Sequence, residues 1–318
     1  MRTAIALVLL ASSALAQQPS APPPAIEAIV PDTSIHSTLL LPKDTTHVMP
    51  VVLLISGSGP TDRDGNSPML SGKNNSLKML AEGLAMNGIA SLRYDKRGVG
   101  ESAKAMVSEA DLRFETYIDD AAAFCEQLRG DKRFSSVIIA GHSEGSLLGM
   151  VAAKKCNASG FISIAGAGRP AADILRTQLA GKLPPALATQ SDAILKDLEA
   201  GKTTEKPPAE LFALYRPSVQ PYMISWFRYD PAKSIAALTV PVLIIQGTTD
   251  IQVSVDDAKR LAAANPRAKL LIVEGMNHVL KSVSSDKTKQ AASYSDPTLM
   301  LAPDLLVNIV DFVRKAGK

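Results

Sequence analysis

Residues 137–150 read VIIAGHSEGSLLGM, and their order decides the fold. Val137, Ile138 and Ile139 form a short β-branched apolar run, the pattern of a strand buried on both faces. A helical pattern opens at Gly145. Between them stands Gly141-His142-Ser143-Glu144-Gly145, a Gly-x-Ser-x-Gly turn in the strand–turn–helix setting of a nucleophile elbow. The two glycines have a steric purpose. The serine is held at a strained backbone angle so that its hydroxyl stands clear of the sheet, and a Cβ at either flanking position would strike a neighbouring strand or helix. The turn also aims the first free N–H groups of the helix at any negative charge developing beside Ser143.

Outward from this stretch, strands and helices alternate. Residues 26–30 and 35–41 read as a hairpin on the sheet edge. Val51-Val52-Leu53-Leu54-Ile55 is a continuous apolar strand that runs into a polar, Gly-rich loop at 56–65. Helical spacing over 77–87 closes at Gly88. A strand over 89–94 leads into Asp95-Lys96-Arg97-Gly98-Val99-Gly100-Glu101-Ser102, and an amphipathic helix over 114–129 precedes the elbow strand. Residues 161–165 form the next strand. This is the pattern of a parallel sheet covered on both faces. The alternation breaks over 168–233, which is helical, punctuated by Pro and Gly, and rich in aromatic residues near its end although aromatics are only 4% of the chain. That segment reads as an inserted helical cap, with Tyr222, Trp226 and Phe227 as candidate substrate-binding residues. Each of them taken singly can equally be a packing residue. A strand over 240–246, a helix over 255–264, a strand over 268–274 and a last helix over 303–315 complete the core. The expected organisation is therefore core at 26–167, cap at 168–233 and core again at 234–318.

A serine hydroxyl needs a general base held in place by a third group. The chain has four histidines. His36 and His47 precede the main sheet, and His142 lies within the elbow, where it is expected to point away from Ser143. His278, in the Gly275-Met276-Asn277-His278 loop after the last strand, is therefore the expected base. Asp250 closes Gly247-Thr248-Thr249-Asp250 at the end of the preceding strand and is the expected orienting carboxylate. Asp256 and Asp257 begin a helix and read as partners of its dipole, while Asp230, before Pro231, reads as a turn residue. One oxyanion donor is expected from the N–H of Glu144 and the other from Ser58, with Gly59 as the alternative.

Composition narrows the function classes. A net charge of +3 without a Lys/Arg run gives no reason to expect nucleic acid. Residues 1–16 combine Arg2, a short apolar run and Ala14-Leu15-Ala16, the pattern of an export signal, and 17–25 are a Pro-rich flexible lead. The expectation is an exported protein, periplasmic or secreted, without stable membrane insertion. Cys125 and Cys156 are the two cysteines. Export permits a bond between them, but a core of this size does not need a staple, so two separate buried thiols are expected. Neither lies in a metal-ligand spacing, and no metal or organic cofactor is expected.

Taken together, Gly-His-Ser-Glu-Gly, Gly-Thr-Thr-Asp, Gly-Met-Asn-His and the 94–102 segment resemble the α/β-hydrolase superfamily over essentially all of the chain after residue 16. The 57–66 loop, GSGPTDRDGN, is similar to that of the bacterial serine carboxylesterases, whose plan resembles the serine aminopeptidase-like hydrolases. The resemblance implies an eight-stranded, mostly parallel sheet with a cap between its sixth and seventh strands. It also implies ester hydrolysis through an acyl-enzyme, without indicating the acyl or alcohol group; the leading reading is a carboxylesterase of small, short-acyl substrates acting through Ser143, His278 and Asp250. Ser56 stands where the common pattern has His. Asp62, Arg63 and Asp64 are expected to form a charge network that fixes this loop, with direct contact to substrate as the alternative. A peptidase, amidase or thioesterase on the same fold is the alternative activity, and a non-catalytic binding module the alternative class. A peptidase would want cap carboxylates for a substrate amine; Glu199, Glu205 and Glu210 are candidates but read more simply as a solvated helix face.

Overall fold

The structure, a computed structural model, describes residues 25–30, 34–106 and 108–317. The export-signal pattern and the Pro-rich lead up to residue 24 lie outside the described residues. Eight strands form one sheet in the order β1-β2-β4-β3-β5-β6-β7-β8. They are β1 (Ala25–Val30), β2 (Ile35–Leu40), β3 (Met49–Ile55), β4 (Ala90–Tyr94), β5 (Phe134–His142), β6 (Gly160–Ile164), β7 (Val242–Gly247) and β8 (Lys269–Val273). The hairpin strand β2 pairs antiparallel with β1 and β4. Every pair from β4 through β8 is parallel, so these strands deliver their C-terminal ends to one edge, where open α/β sheets build their sites.

The helices are α1 (Ser76–Met86), α2 (Phe114–Gly130), α3 (Glu144–Lys155), α4 (Ala171–Leu179), α5 (Pro185–Glu199), α6 (Phe212–Tyr215), α7 (Gln220–Phe227), α8 (Pro231–Ala236), α9 (Val255–Ala264), α10 (Lys287–Ser293) and α11 (Pro303–Ala316). The two-residue period of the strands sorts the core into two layers. Val51, Leu53 and Ile55 of β3 and Val137 and Ile139 of β5 face α2, α3 and α9. Their neighbours Val52, Leu54, Ile138 and Ala140 face α1 and α11. A continuous apolar run is what such a doubly covered strand requires.

Helices α4–α8 lie between β6 and β7; α4–α7 enclose a small core of their own around Leu195, Leu198, Leu211 and Tyr215, whereas Ile235 of α8 packs into the main core. Several bonds tie this insertion to the main body. Arg216 pairs with Glu109, its Nε donating at 2.8 Å, and Tyr229 Oη donates to Glu115 at 3.1 Å. The Phe114 N–H donates to Ser225 Oγ at 2.8 Å. Arg169 forks onto Asp257 at 2.9 and 3.0 Å. Asp257, expected only as a dipole partner at the start of α9, thus also anchors the base of the insertion.

One expectation is corrected. Cys125 and Cys156 are not separate thiols but a disulfide, with Cα atoms 6.2 Å apart. They sit on α2 and beyond the last residue of α3, two helices packed side by side on the same sheet face. Core size says nothing about that adjacency, which depends on how the two helices pack. Closing a loop of sequence separation 31 corresponds to about 3–4 kcal/mol in the chain-entropy model. Cys125→Ala/Cys156→Ala should therefore unfold at lower denaturant, with a loss of about 2–4 kcal/mol, and a reductant should do the same to the unmodified protein. Identical midpoints in all three measurements would show that the bond contributes nothing.

Candidate active site

Ser143 lies between β5 and α3 with φ 55° and ψ −121°, a left-handed conformation costly for a residue with a side chain and characteristic of functional turns. Its N–H donates to Ile164 O at 2.9 Å, pinning the turn to β6. The flanking glycines have no room for anything larger. A Cβ on Gly141 would lie 2.0 Å from the Gly145 carbonyl oxygen, and one on Gly145 would lie 2.5 Å from that of Ile55. The elbow therefore closes on itself and against the end of β3 in one packing arrangement.

Asp250, just after β7, and His278, after β8, meet at the same edge. His278 Nδ1 is 2.8 Å from Asp250 Oδ2, and both side chains are buried. Asp250 is saturated: Gln246 Nε2 donates to it at 3.0 Å, and the N–H groups of Gln252 and Val253 at 2.7 and 3.0 Å. Burial alone would raise the Asp250 carboxyl, but His278 and these two N–H groups outweigh it and hold the carboxyl below its ordinary value. A carboxylate only accepts, so His278 Nδ1 carries the hydrogen, and in the neutral ring Nε2 is then the nitrogen with the lone pair a base needs. Ser143 Oγ has no hydrogen bond among the described residues, so the structure joins Asp250 to His278 directly but not His278 to Ser143. Asp256 is exposed and pairs with Lys259, and Asp230 caps α8.

Sequence pattern gives no helix over the polar residues 287–293, yet α10 forms there and braces both loops. Gln290 donates to Thr249 O at 3.1 Å, and Asn277 donates to Ser293 Oγ at 2.7 Å. Each contact falls on the residue beside a member of the Asp250–His278 pair.

His142 is also corrected. It points into the site: its ring lies 4.8 Å from that of His278, and Nε2 is 2.8 Å from the His278 carbonyl oxygen. The carbonyl can only accept, so Nε2 carries the hydrogen. Burial, reinforced by His278, lowers His142 from its ordinary 6.5 to about 3. His142 is thus a neutral strut holding the loop that carries His278.

The loop after β3 completes the edge. A Cβ on Gly57 would stand 3.2 Å from Ser143 Cβ, which puts the Gly57–Ser58 peptide beside the elbow. Neither Ser58 nor Glu144 has an acceptor for its backbone N–H among the described residues. The Asp62-Arg63-Asp64 stretch is fixed by charge, as expected. The Arg63 N–H and guanidinium both bond the buried Asp95, at 2.7 and 3.2 Å, and Arg63 also reaches Glu101. Asp64 holds Arg93 at 2.9 Å, and Asp62 accepts from the N–H groups of Asp64 and Asn66. The Lys96 ammonium, buried beneath the loop, donates to Gly57 O at 2.5 Å and to Glu144 Oε1 at 3.2 Å. Sequence reasoning placed no role on Lys96; the run of charges Arg93, Asp95, Lys96 and Arg97 at the end of an apolar strand is the signal that was available.

The candidate substrate-binding aromatics occupy different places. Tyr222 and Trp226 pack on Phe114 of α2, with Trp226 stacked at 5.9 Å. The Tyr222 hydroxyl is enclosed near the Glu144 carboxylate, and burial first, then that charge, raises it well above its ordinary value. Phe227 packs on the insertion's own core. No cluster of metal-ligating side chains is found among the described residues.

The neutral His142 has a consequence for acid stability. Below about pH 6.5 the unfolded chain binds a proton that the folded chain refuses, so stability is lost as pH falls from there toward about 3. His142→Gln keeps a donor toward the His278 carbonyl but removes the titration. Its stability should decline less steeply between about pH 6 and 4, by up to roughly 1.4 kcal/mol per pH unit. Equal slopes in variant and parent would show that His142 titrates normally.

The family model for serine aminopeptidase, S33, matches residues 72–282, a span that includes Ser143, Asp250 and His278. The chain is 33% identical over 243 residues to esterase EstD of Thermotoga maritima, covering 75% of this chain and 56% of that protein. It thus spans little more than half the length of that relative. Two solved esterases share the fold at low identity. Est1E of Butyrivibrio proteoclasticus with ferulic acid bound has a TM-score of 0.57 at 16% identity, over 92% of this chain and 97% of that one. A thermophilic esterase from Thermogutta terrifontis with malate bound has a TM-score of 0.55 at 17% identity, over 93% and 100%. The sheet order, the elbow and the family match lead to one conclusion: this chain is an α/β hydrolase belonging to the serine aminopeptidase S33 family.

Proposed function

We propose that the protein is a carboxylesterase that cleaves small, short-acyl esters through an acyl-enzyme on Ser143. The observation that carries this reading is the buried His278–Asp250 bond of 2.8 Å at the sheet edge where the strained Ser143 turn opens. In the proposed cycle Ser143 Oγ attacks the ester carbonyl carbon while His278 Nε2 takes its proton. The oxyanion sits between the N–H groups of Ser58 and Glu144. Its collapse breaks the bond to the alkoxy oxygen, which leaves with the proton from His278. Water, deprotonated by the same imidazole, then releases the acid. The likeness to esterase EstD supports an ester as substrate.

A peptidase or amidase activity is the second reading, favoured by the name of the matching family. An amine-binding pocket would want a free carboxylate. Of the cap carboxylates, Glu199 is already held by Arg176, and Glu205 and Glu210 lie on the exposed surface and not in an enclosed pocket, which favours the ester. Export to an oxidising compartment is likewise proposed, supported by the 1–16 pattern and the Cys125–Cys156 bond. Among the described residues, no helix is long and apolar enough to cross a membrane.

A fluorophosphonate probe should label Ser143, and Ser143→Ala should abolish both labelling and hydrolysis of p-nitrophenyl acetate. Asp250→Asn should keep the fold and lower turnover by about 10⁴-fold, the scale for losing the orienting carboxylate. Matched amides should turn over far more slowly than esters, and the reverse preference would establish the peptidase reading.

The insertion is proposed to set acyl size. Trp226, stacked over α2 towards the main body, should shift the chain-length preference of kcat/KM by roughly ten- to two-hundred-fold when changed to alanine. Phe227→Ala, within the insertion's own core, should lower thermal stability and leave the length profile alone. Profiles that change in Phe227→Ala and not in Trp226→Ala would reverse the assignment.

A further inference from the structure

The chemistry above makes no use of Lys96, yet its ammonium is buried against the elbow. It has one neutral acceptor, Gly57 O at 2.5 Å, one charged acceptor, Glu144 Oε1 at 3.2 Å, and the face of Tyr117 at 5.2 Å from the ring centroid. The two acceptors belong to the two segments named as oxyanion donors. Every described peptide bond is trans, and a trans peptide directs its C=O and N–H in opposite directions. Lys96 therefore grips the Gly57–Ser58 peptide by its carbonyl and leaves the Ser58 N–H directed away from the lysine. A cation on the carbonyl also polarises the amide and strengthens its N–H as a donor. On the other side, the Glu144 side chain holds the same ammonium while the Glu144 N–H opens the helix after Ser143.

We propose that Lys96 is a positioning residue for the oxyanion hole, tying the donor on the β3 loop to the donor on α3 through one buried ammonium. The proposal rests on the reading of Ser143 as nucleophile with Ser58 and Glu144 as donors. It accounts for two features of the site. A lone buried ammonium is strongly disfavoured and needs its Glu144 partner. The loop's own bonds, Ser56 Oγ to Thr61 O and Thr61 Oγ1 to Ser58 O, leave the Gly57 carbonyl to be held by Lys96. The hold matters to the reaction because oxyanion donors act through preorganisation, and an error of about 1 Å can cost on the order of 10²-fold in rate.

The test uses the full chain and four proteins: the parent, Lys96→Met, Lys96→Met/Glu144→Gln, and Lys96→Arg. The single change to methionine leaves Glu144 buried and unpaired, so the double variant, which removes both charges together, is the one designed to stay folded. In it, kcat for p-nitrophenyl acetate should fall roughly 10²-fold with KM within about threefold. Affinity for an alkyl trifluoromethyl ketone, which adds to the serine and places an oxyanion in the hole, should fall in parallel with kcat/KM. Lys96→Arg keeps a cation and donors paired with Glu144 but re-aims them, and should give an intermediate kcat at unchanged KM. Parent-like kcat in either folded variant overturns the proposal, as does a rise in KM with kcat intact, since that is the signature of a pocket wall and not of an oxyanion hold. Failure of the reading beneath is distinguishable, because it appears in the parent itself as absence of fluorophosphonate labelling at Ser143.

Discussion

The structure depends on a close approach of backbones at the end of its central strands. β3 and β5 run side by side from Val51↔Val137 to Ile55↔Gly141, and the turn that follows must fold back between them. It can do so only because Gly141 and Gly145 have no Cβ: the space either would need is already filled by the carbonyl groups of Gly145 and Ile55. Close packing of this kind admits one arrangement. The serine is thereby thrust out, α3 starts where it does, and the loop leaving β3 is brought against the elbow. Position at this edge is a property of the sheet, whereas the loops contribute the chemistry.

Beneath that edge lies a buried charged layer that packing alone would not require. Asp95, Lys96 and Arg97 follow one another directly out of β4, and each is committed to a different segment. Asp95 takes the Arg63 loop, Lys96 takes Gly57 and Glu144, and Arg97 forks onto Asp120 of α2 at 2.7 Å. Buried charges are a poor source of net stability but a good source of register, because any misplacement leaves one unpaired. The segment after β4 thus acts as a jig that holds the β3 loop, α2 and α3 at fixed spacing.

Legibility in the sequence followed the range of the interaction. The alternation of strands and helices, the elbow and the loops carrying Asp250 and His278 are local patterns, and they place residues at strand ends where topology brings them together. The Asp62-Arg63-Asp64 network was legible for the same reason, since three charges in a Gly-rich turn demand partners. What could not be read depends on contacts between distant segments. The Cys125–Cys156 bond requires knowing that α2 and α3 lie side by side. The inward turn of His142 depends on a carbonyl 136 residues away. Helix α10 has no apolar period because its buried residues, Gln290 and Ser293, are polar ones that bond the neighbouring loops.

The attachment of the insertion bears on how that segment can move. A hinged cover needs a side that lets go, yet this segment is fastened at its root by the Arg169–Asp257 fork and near its far end by Arg216 on Glu109 and Ser225 on the Phe114 N–H. Swinging it away as a unit would break partly buried ion pairs and a buried hydrogen bond at the same time. The segment is therefore bound to the main body at both its root and its later helices, and a swing about one end alone would leave the other set of bonds to be broken.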